Sequence, residues 1–411
     1  MNDFVKFLPA AALPEGGIAE WSPADAERWR RAAVVRWAAP GAGSWALVPL
    51  VLTAAVLLGS GGPEPPHSGT GWAGYPQVVL LLSLPLWYRT MPAATVVAGP
   101  LLALYSVFRA AGPASADPSV RAGGWLTVAV ALLAATGAVL RLRARRRQRA
   151  LALAAAGPDR RPLPAGLPRG HVRRGLVPLL AGAALCAAAA ALLGTGLFHD
   201  LRAHGTGRPY DAAGQQLVAL ALLVPGVPLL GGGAAARRTA GRLRGGPQPA
   251  LRIGVRSLSP RRNVLYPDAR TTGARPVAGY RPRARNRVPE ARVLLGGPEE
   301  RLRREHRDVD ATREPFEAVL YGVPCEGAEV VLEYAVHTDS GTSLCSSVTA
   351  TPLLPLYGSR PRPWSPAERS FRLGVREGRA RARQRPPRSR RSVSVSFSFS
   401  DDSGGCGGGG D

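Results

Sequence analysis

The side chains best suited to chemistry are few and scattered along this chain of 411 residues. None of the four cysteines forms a CxxC pair, and three histidines of the central region lack thiols or carboxylates at metal-ligand spacing. These residues are Cys186, Cys325, Cys345 and Cys406, and His171, His199 and His204. Asp200 and His204 lie close together on a Gly-rich segment, which would support at most a weak surface contact with a metal. The pattern predicts no metal site, no cofactor and no disulfide framework.

Catalytic motifs are also lacking. The chain contains no GxSxG, no HExxH and no phosphate-binding loop of the GxxxxGK[ST] or GxGxxG type in a strand–helix context. His306, in REHRD, invites comparison with the phospho-accepting histidine of sensor kinases, but no ATP-binding signature follows it. We therefore expect a non-enzymatic protein with no catalytic residues.

The element around which the rest of the chain is organised is Gly175–Phe198, which is 24 residues long and carries no charge. As a helix with a rise of about 1.5 Å per residue, it is long enough to cross the hydrocarbon core of a bilayer, roughly 30 Å thick. Five further apolar stretches accompany it, several with tryptophan at their ends, as membrane interfaces favour. The sequence predicts six spans near residues 44–61, 71–87, 92–108, 124–140, 175–198 and 216–236.

The distribution of arginines between the two sides of the membrane tests the predicted number of spans. With six spans and a cytoplasmic N-terminus, the loops inside the cell carry 20 arginines and the outer loops carry four. The outer four are Arg109, Arg121, Arg202 and Arg208. This asymmetry follows the positive-inside rule. It predicts a multi-pass protein of the plasma membrane with both termini in the cytoplasm.

The predicted spans contain no Asp, Glu, His, Lys or Arg, which transporters and pumps use to bind ions or relay protons. Their remaining polar side chains, such as Thr53, Thr127 and Thr195, are expected to bond to the preceding helical turn or to a neighbouring helix. The fifth span has small residues four apart, Gly182 with Cys186 and Ala190 with Gly194. This spacing favours close helix packing.

Residues 1–39 form a basic N-terminal segment without the features of a cleaved signal peptide. Ser22 and Pro23 are typical of a helix start, and the helix is predicted to run to Trp37. Two interpretations remain open: an amphipathic helix on an anionic leaflet, or a plain basic flank of the first span.

The Arg-rich loop 141–174 has two interpretations of its own, contact with anionic lipid headgroups or a charge cluster that sets topology.

After a Gly/Pro linker at 245–249, residues 250–358 show short strand patterns separated by turn residues. The predicted strands are Leu251–Leu258, Arg262–Tyr266, Val277–Arg281, Ala291–Leu295, Phe316–Tyr321, Glu329–His337 and Leu344–Thr351. They indicate a small cytoplasmic β-barrel of the SH3-like or OB-like kind, which follows the membrane domain of residues 40–244. Pro298–Asp310 is read as a helix or a loop, and residues 359–411 as a disordered tail rich in Arg, Pro, Ser and Gly.

The formal net charge of +25 comes almost wholly from arginine, since Lys6 is the single lysine. Nucleic-acid binders usually mix lysine and arginine with aromatic residues, so this charge is better explained by the amino-acid bias of a GC-rich genome.

The segment FEAVLYGVPCEGAEVVLEY (Phe316–Tyr334), with the spans and the Arg-rich loop, resembles the uncharacterised integral membrane proteins common in Streptomyces and its relatives. The resemblance covers residues 20–358 and implies no activity, cofactor or binding residue.

Two functions follow as hypotheses, beside a third class in which the Arg runs contact anionic lipid or nucleic acid and binding falls steeply with added salt. The first is a membrane anchor that positions a small cytoplasmic interaction domain for an unknown protein partner. The second is a subunit of a transporter or channel whose partner supplies the polar pathway. A tightly packed apolar bundle would favour the first, and a polar cavity between the spans would favour the second.

Overall fold

The computed structural model describes residues 17–60, 72–112, 117–164, 169–203, 210–259, 262–281, 292–293, 316–337, 344–354 and 363–364, together with Leu8, Leu13, Leu167 and Leu356. These residues form a helical bundle followed by an antiparallel β-sheet that curves into a barrel. The described fold fits the predicted combination of a helical membrane part and a β domain. Pro298–Asp310, His306 and the tail beyond Trp364 lie outside the described residues.

The bundle consists of α2 (Pro40–Gly59), α3 (Tyr75–Thr90), α4 (Pro92–Ala111), α5 (Pro118–Ala156), α7 (Leu176–Ala203) and α8 (Ala213–Arg244). Five of these, all except α3, are long and apolar enough to cross a membrane. Their outer faces carry large apolar side chains, among them Trp45, Val56, Phe108 and Val177. Such a surface would be costly in water and suits contact with lipid.

Helix α3, the second predicted span, has 16 residues and a length of about 24 Å. Its two ends are nevertheless level with the ends of its neighbours. At one end, Tyr88 Oη donates to the Ala38 carbonyl just before α2, at 2.6 Å. At the other, Tyr75 Oη donates to the Gln216 carbonyl near the start of α8, at 3.0 Å. Helix α3 thus runs through the same layer as the longer helices.

Contacts of this kind define two ends of the bundle. The barrel end contains Ala38, Tyr88, Met91, Arg141 and Gly233, and the far end contains Ser60, Trp72, Tyr105, Ser119 and Asp200. At the far end, Ser60 Oγ donates to Ser119 Oγ at 3.0 Å and Trp72 Nε1 donates to Asp200 Oδ2 at 2.9 Å. Each of the six helices has one end in each group, so successive helices alternate in direction.

Several polar side chains of the bundle bond as their types predict, whereas Ser83 Oγ is buried without a hydrogen-bond partner among the described residues. Thr53 and Thr127 donate to carbonyls four residues earlier, at 2.9 and 2.8 Å. Gln77 joins two helices instead, because its Nε2 donates to Ser106 Oγ of α4 at 3.0 Å. These bonds satisfy the hydroxyl and amide groups inside an apolar layer.

Helices α7 and α8 form a closely packed hairpin. A Cβ added at Gly182 would lie 2.2 Å from the Leu230 nitrogen, and one added at Gly233 would lie 2.5 Å from the Leu179 nitrogen. Cys186 faces Gly226 in the same contact. The predicted packing role of Gly182 and Cys186 is confirmed, whereas a Cβ at Gly194 would meet nothing within 4 Å. Helix α8 continues without a break through Pro225 and Pro228.

The barrel is built from β1 (Ala250–Ser259), β2 (Arg262–Tyr266), β3 (Ala278–Tyr280), β5 (Phe316–Tyr321), β6 (Glu329–His337) and β7 (Leu344–Pro352), with β4 (Arg292–Val293) paired to the end of β6. The strands pair antiparallel in the order β3-β2-β1-β5-β6-β7. Gly279 in β3 and Leu354 after β7 exchange two backbone hydrogen bonds, at 2.8 and 2.6 Å, and nearly close the ring. All seven predicted strands are present.

One buried cluster draws side chains from β1, β2, β3, β5 and β6 and also from two helices outside the barrel. Helix α1 (Pro23–Arg31) contributes Ala26 and Trp29, and α5 contributes Ala152 and Ala156. The apolar side of the N-terminal helix packs on the barrel, so that side does not lie on a leaflet. The interpretation as a basic flank of the first span stays a prediction. The helix also ends at Arg31 rather than Trp37, and a single 3-10 turn follows at Arg36–Ala38.

Two further boundaries differ from the sequence interpretation. The first half of the predicted loop 141–174 is helical, since α5 continues to Ala156 as one helix of 39 residues, about 58 Å long. The tail also begins later than expected, because Trp364 is 1% exposed and its ring packs on Tyr266 with centroids 4.9 Å apart. Trp364 therefore belongs to the barrel.

Candidate functional site at the bundle–barrel junction

The turn between β5 and β6, Gly322–Ala328, lies where the barrel meets the bundle. Its sequence, GVPCEGA, bends tightly because Gly322 and Gly327 adopt φ values of +103° and +74°, which side chains other than glycine rarely tolerate. Ala328 N donates to the Cys325 carbonyl at 3.0 Å and closes the turn. We call this segment the junction turn. It presents Glu326 to the bundle and leads directly into Glu329.

Glu326 is the centre of a buried ionic contact. Its Oε1 lies 3.0 Å from Arg141 Nη2 and 3.4 Å from Arg145 Nη2, and both arginines belong to α5. The side chains of Arg141 and Glu326 are 1% and 6% exposed. The Glu326 backbone nitrogen donates to Gln148 Oε1 at 3.2 Å. One turn of the barrel thus engages three successive turns of α5.

Arg141 also binds the end of α3. Its Nη1 donates to the Tyr88 carbonyl and its Nη2 contacts the Arg89 carbonyl at 3.5 Å. The last carbonyls of a helix have no partner within the helix, so a guanidinium placed there satisfies them and favours the negative end of the helix dipole. The Arg141 guanidinium also lies 5.1 Å from the Tyr88 ring centre. Arg141 therefore joins α5, α3 and the barrel.

A second ionic contact lies at Glu329, the first residue of β6. Arg174 Nη2 is 3.2 Å from Glu329 Oε2, and His171 Nδ1 is 3.5 Å from Glu329 Oε1. His171 lies in the short helix α6 (Arg169–Val172), just before α7, and its side chain is fully buried. Neither ring nitrogen has a hydrogen-bond partner among the described residues. This contact fixes the entry to α7 against the barrel.

The N-terminal segment completes the junction. Ser22 caps α1 by accepting a hydrogen bond from Asp25 N at 3.1 Å, and Trp29 packs edge-on against Trp21. Trp29 Nε1 donates to the Pro324 carbonyl of the junction turn at 2.9 Å. Because α1 leads into α2, this bond ties the start of the bundle to the same turn that Arg141 holds.

One thiol, that of Cys325, lies in the junction turn. Burial raises the pKa of the Cys325 thiol, with Arg145 and Arg149 acting in the opposite direction, so the thiol is protonated and a poor nucleophile at neutral pH. No group of three His, Cys, Asp or Glu side chains within the described residues is placed to hold a metal. The arrangement can bind two parts of one chain together and fix their orientation.

The residues singled out by sequence reasoning are dispersed. His171 lies in the junction, Asp200 accepts the Trp72 bond at the far end, and His199 stacks near Tyr210 with ring centres 5.3 Å apart. His204 and Cys406 lie outside the described residues. Sequence reasoning missed Arg141 and Glu326. A signal was present, since an arginine directly follows an apolar span and an acid lies between Pro and Gly in a turn.

Comparison of the chain with protein-family models, with curated proteins and with solved structures finds no match. The described architecture, five membrane-length apolar helices joined to a nearly closed antiparallel barrel, fits a multi-pass helical membrane protein with a β domain.

Proposed function

We propose that this protein is a non-enzymatic integral membrane protein that holds its barrel in one orientation at the cytoplasmic membrane surface, as an interaction module for a protein partner. The observation that carries the proposal is helix α5, which starts in the bundle and ends in the core of the barrel, where Ala152 and Ala156 are buried. The ionic contacts of Glu326 and Glu329 reinforce this link. A barrel attached to the bundle only by a flexible linker would not need these ionic contacts.

The proposal includes six crossings with both termini in the cytoplasm. The alternation of helix ends supports six, since α3 runs between the same two levels as the longer helices. A helix of about 24 Å is short for a bilayer, but neighbours and local thinning accommodate such a mismatch at modest cost. The basic residues Arg36, Arg89 and Arg237 then lie at the barrel end, and Arg109 and Arg121 at the far end. This charge distribution follows the positive-inside rule.

The barrel type and the lipid contacts remain part of this proposal. The SH3-like or OB-like assignment stays a prediction, and the ring has one strand more than the five of an OB-fold. In the extension of α5, Arg141 forms an ion pair with Glu326, whereas the side chains of Arg143, Arg146 and Arg147 are exposed. We propose that these exposed arginines face the anionic headgroups of the inner leaflet.

A transporter or channel subunit is the second candidate, and one observation favours it. A cavity of about 110 Å³ at the far end is lined by Gln77 and Arg109, among other residues. It is large enough for a few water molecules, and its lining does not extend to the barrel end. The apolar composition of the six helices supports the anchor instead.

Topology is tested with single cysteines in a chain whose native cysteines are replaced by alanine. Positions 60, 89 and 237 are labelled with a membrane-impermeant maleimide in intact cells. Six crossings predict labelling at Ser60 and protection at Arg89 and Arg237. Labelling at both Ser60 and Arg89 would show that α3 does not cross, and it would overturn the six-span part of the proposal.

The interaction role is tested by photo-crosslinking in the full chain. A benzophenone amino acid is placed at Arg270 or Arg281 on the barrel, or at Val177 or Leu217 on the outer face of the bundle, all of which are exposed. A protein adduct at the barrel positions alone supports the interaction module. An adduct at the bundle positions alone contradicts it and favours the transporter subunit.

A further inference from the structure

A polar cleft of about 450 Å³ lies between α1 and the barrel, away from the junction contacts described above. One wall is α1, and the other is the loop between β2 and β3, residues 267–275. Its volume is in the range of small-molecule sites in proteins. The cleft is independent of the anchoring role proposed above.

The walls carry excess positive charge. Arg30 binds Glu27 through two bonds, Nε to Oε2 at 2.8 Å and Nη2 to Oε1 at 2.6 Å, and Arg31 Nε approaches the same carboxylate at 3.2 Å. Arg275 lines the opposite wall and has no ion-pair partner in the described part of the chain. The lining therefore holds three guanidinium groups and one carboxylate, which leaves a formal charge of about +2 for a ligand to neutralise.

The loop wall is fixed before any ligand arrives. Asp268 Oδ1 accepts from the Arg270 and Thr271 nitrogens at 2.7 and 2.5 Å. Gly273 N donates to the Trp364 carbonyl, and Trp364 N donates to the Ala274 carbonyl, both at 2.7 Å. Since Trp364 is buried against Tyr266, these bonds hold the loop on the barrel. A preformed site loses little entropy when a ligand binds.

The polar groups suit one ligand chemistry. Guanidinium forks match the oxygens of phosphate, and the hydroxyls of Thr271 and Thr272 add neutral donors on the same wall. We propose that this cleft binds a phosphate group, carried by a soluble phosphorylated molecule or by an anionic phospholipid headgroup, mainly through Arg31 and Arg275. Arg31 is nine residues before Pro40, where α2 begins, so the site lies within about 30 Å of the bundle. Both sources of phosphate can therefore reach it.

The test uses the full chain in nanodiscs at physiological salt. Pyrophosphate is titrated by calorimetry into protein held in phosphatidylcholine, and native mass spectrometry scores phosphatidylglycerol retained from mixed nanodiscs. The cleft variant is Arg31→Gln with Arg275→Gln. The matched control is Arg36→Gln with Arg281→Gln, which removes the same charge from exposed positions outside the cleft. Thermal transitions of both variants are compared with that of the parent chain, because exposed arginines contribute little to stability.

We expect one-site binding that weakens at least tenfold in the cleft variant and less than twofold in the control. Pyrophosphate binding would identify a soluble ligand, and retention of phosphatidylglycerol alone would identify a headgroup. Binding of either probe supports the site if the cleft variant loses that binding and the control variant keeps it. Equal loss in both variants would mean general electrostatic attraction and would overturn the proposal, as would binding of neither probe by the parent chain.

Discussion

Arg141 and Glu326 are 185 positions apart in the chain and 3.0 Å apart in the fold, and both side chains are almost completely buried. The pair joins the membrane helix that leaves the bundle to the turn that faces it. Taking two charges out of water carries a large desolvation cost, which their attraction and added hydrogen bonds offset only in good geometry. We therefore expect the pair to contribute less to overall stability than to fixing where the barrel sits.

Removing one partner of this pair is expected to be costly. Glu326→Ala leaves Arg141 buried without its carboxylate and should destabilise the docked state by about 3–5 kcal/mol. Glu326→Gln keeps the shape and one hydrogen bond and should cost less. Changing both partners, with Arg141→Met and Glu326→Leu, removes the unpaired charge and should recover part of the loss, since the Tyr88 carbonyl then loses its donor. Thermal unfolding followed by tryptophan fluorescence ranks the three variants, and a double variant less stable than Glu326→Ala would contradict this account.

Cys325 reports on whether the junction is closed. Burial raises the pKa of its thiol above the ordinary value of 9.0, so the folded state disfavours the reactive thiolate. In a chain with Cys325 as the single cysteine, maleimide labelling should be slow at pH 7 and rise only above pH 9. The raised pKa also means that this group favours folding below pH 9 and loses that contribution as the pH rises further.

The same thiol then tests coupling between the ionic contact and the docked state. Glu326→Ala removes a neighbouring negative charge and loosens the turn, so labelling of Cys325 should become faster at pH 7. Arg147→Gln, an exposed change on the same helix, serves as the control and should leave the rate unchanged. Equal rates in Glu326→Ala and the parent chain would show that the turn stays docked without the ion pair.

Trp29 should be the main anchor of α1. It is 5% exposed, packs against Trp21 and donates to the junction turn. Trp29→Ala should cost about 3–5 kcal/mol through lost packing, and Trp29→Phe about 1 kcal/mol through the lost hydrogen bond. Trp37→Ala is the control, since that side chain is 50% exposed. Limited proteolysis between α1 and α2 measures release of the helix, which should increase only for the Trp29 variants.

The α7–α8 hairpin should be intolerant of a single methyl group at Gly182. Its Cβ would lie 2.2 Å from backbone nitrogen, so Gly182→Ala must push the helices apart at a cost of about 1–3 kcal/mol. Gly194→Ala, on the same helix in open space, should be neutral or slightly stabilising. The melting temperatures of the two variants in detergent give the comparison. Similar values would show that the hairpin adapts to the extra volume.

Much of the architecture was predictable from local patterns. Uncharged runs marked all six helices of the bundle, and alternating runs bounded by Gly, Pro and Asp marked the seven strands, because both signals depend on residues near one another in sequence. Several threonine hydroxyls inside the helices also bond within one turn, as their type predicts. Thr127 donating to Gly123 is an example.

The errors concern contacts between distant segments. The arginines of residues 141–149 were interpreted as a loop because a charge run gives no sign of its partner. In the fold, α5 continues through these arginines, and Glu326 pairs with two of them. Trp29 was assigned to a membrane surface or a flank because its true neighbour, Pro324, is 295 positions away. Trp364 looked isolated in a biased tail for the same reason. Long-range pairing decides such cases, and a single sequence does not display it.

The order in which the barrel core is assembled has a consequence for biosynthesis. Trp29 is made early, but its partners in β5 and β6 follow only after every helix of the bundle, about 300 residues later. At about 5–20 residues per second, this delay lasts on the order of tens of seconds. During that interval Trp21 and Trp29 have no core to enter. We therefore expect the apolar side of this segment to be more accessible to protease or to chaperones in a nascent chain than in the completed protein.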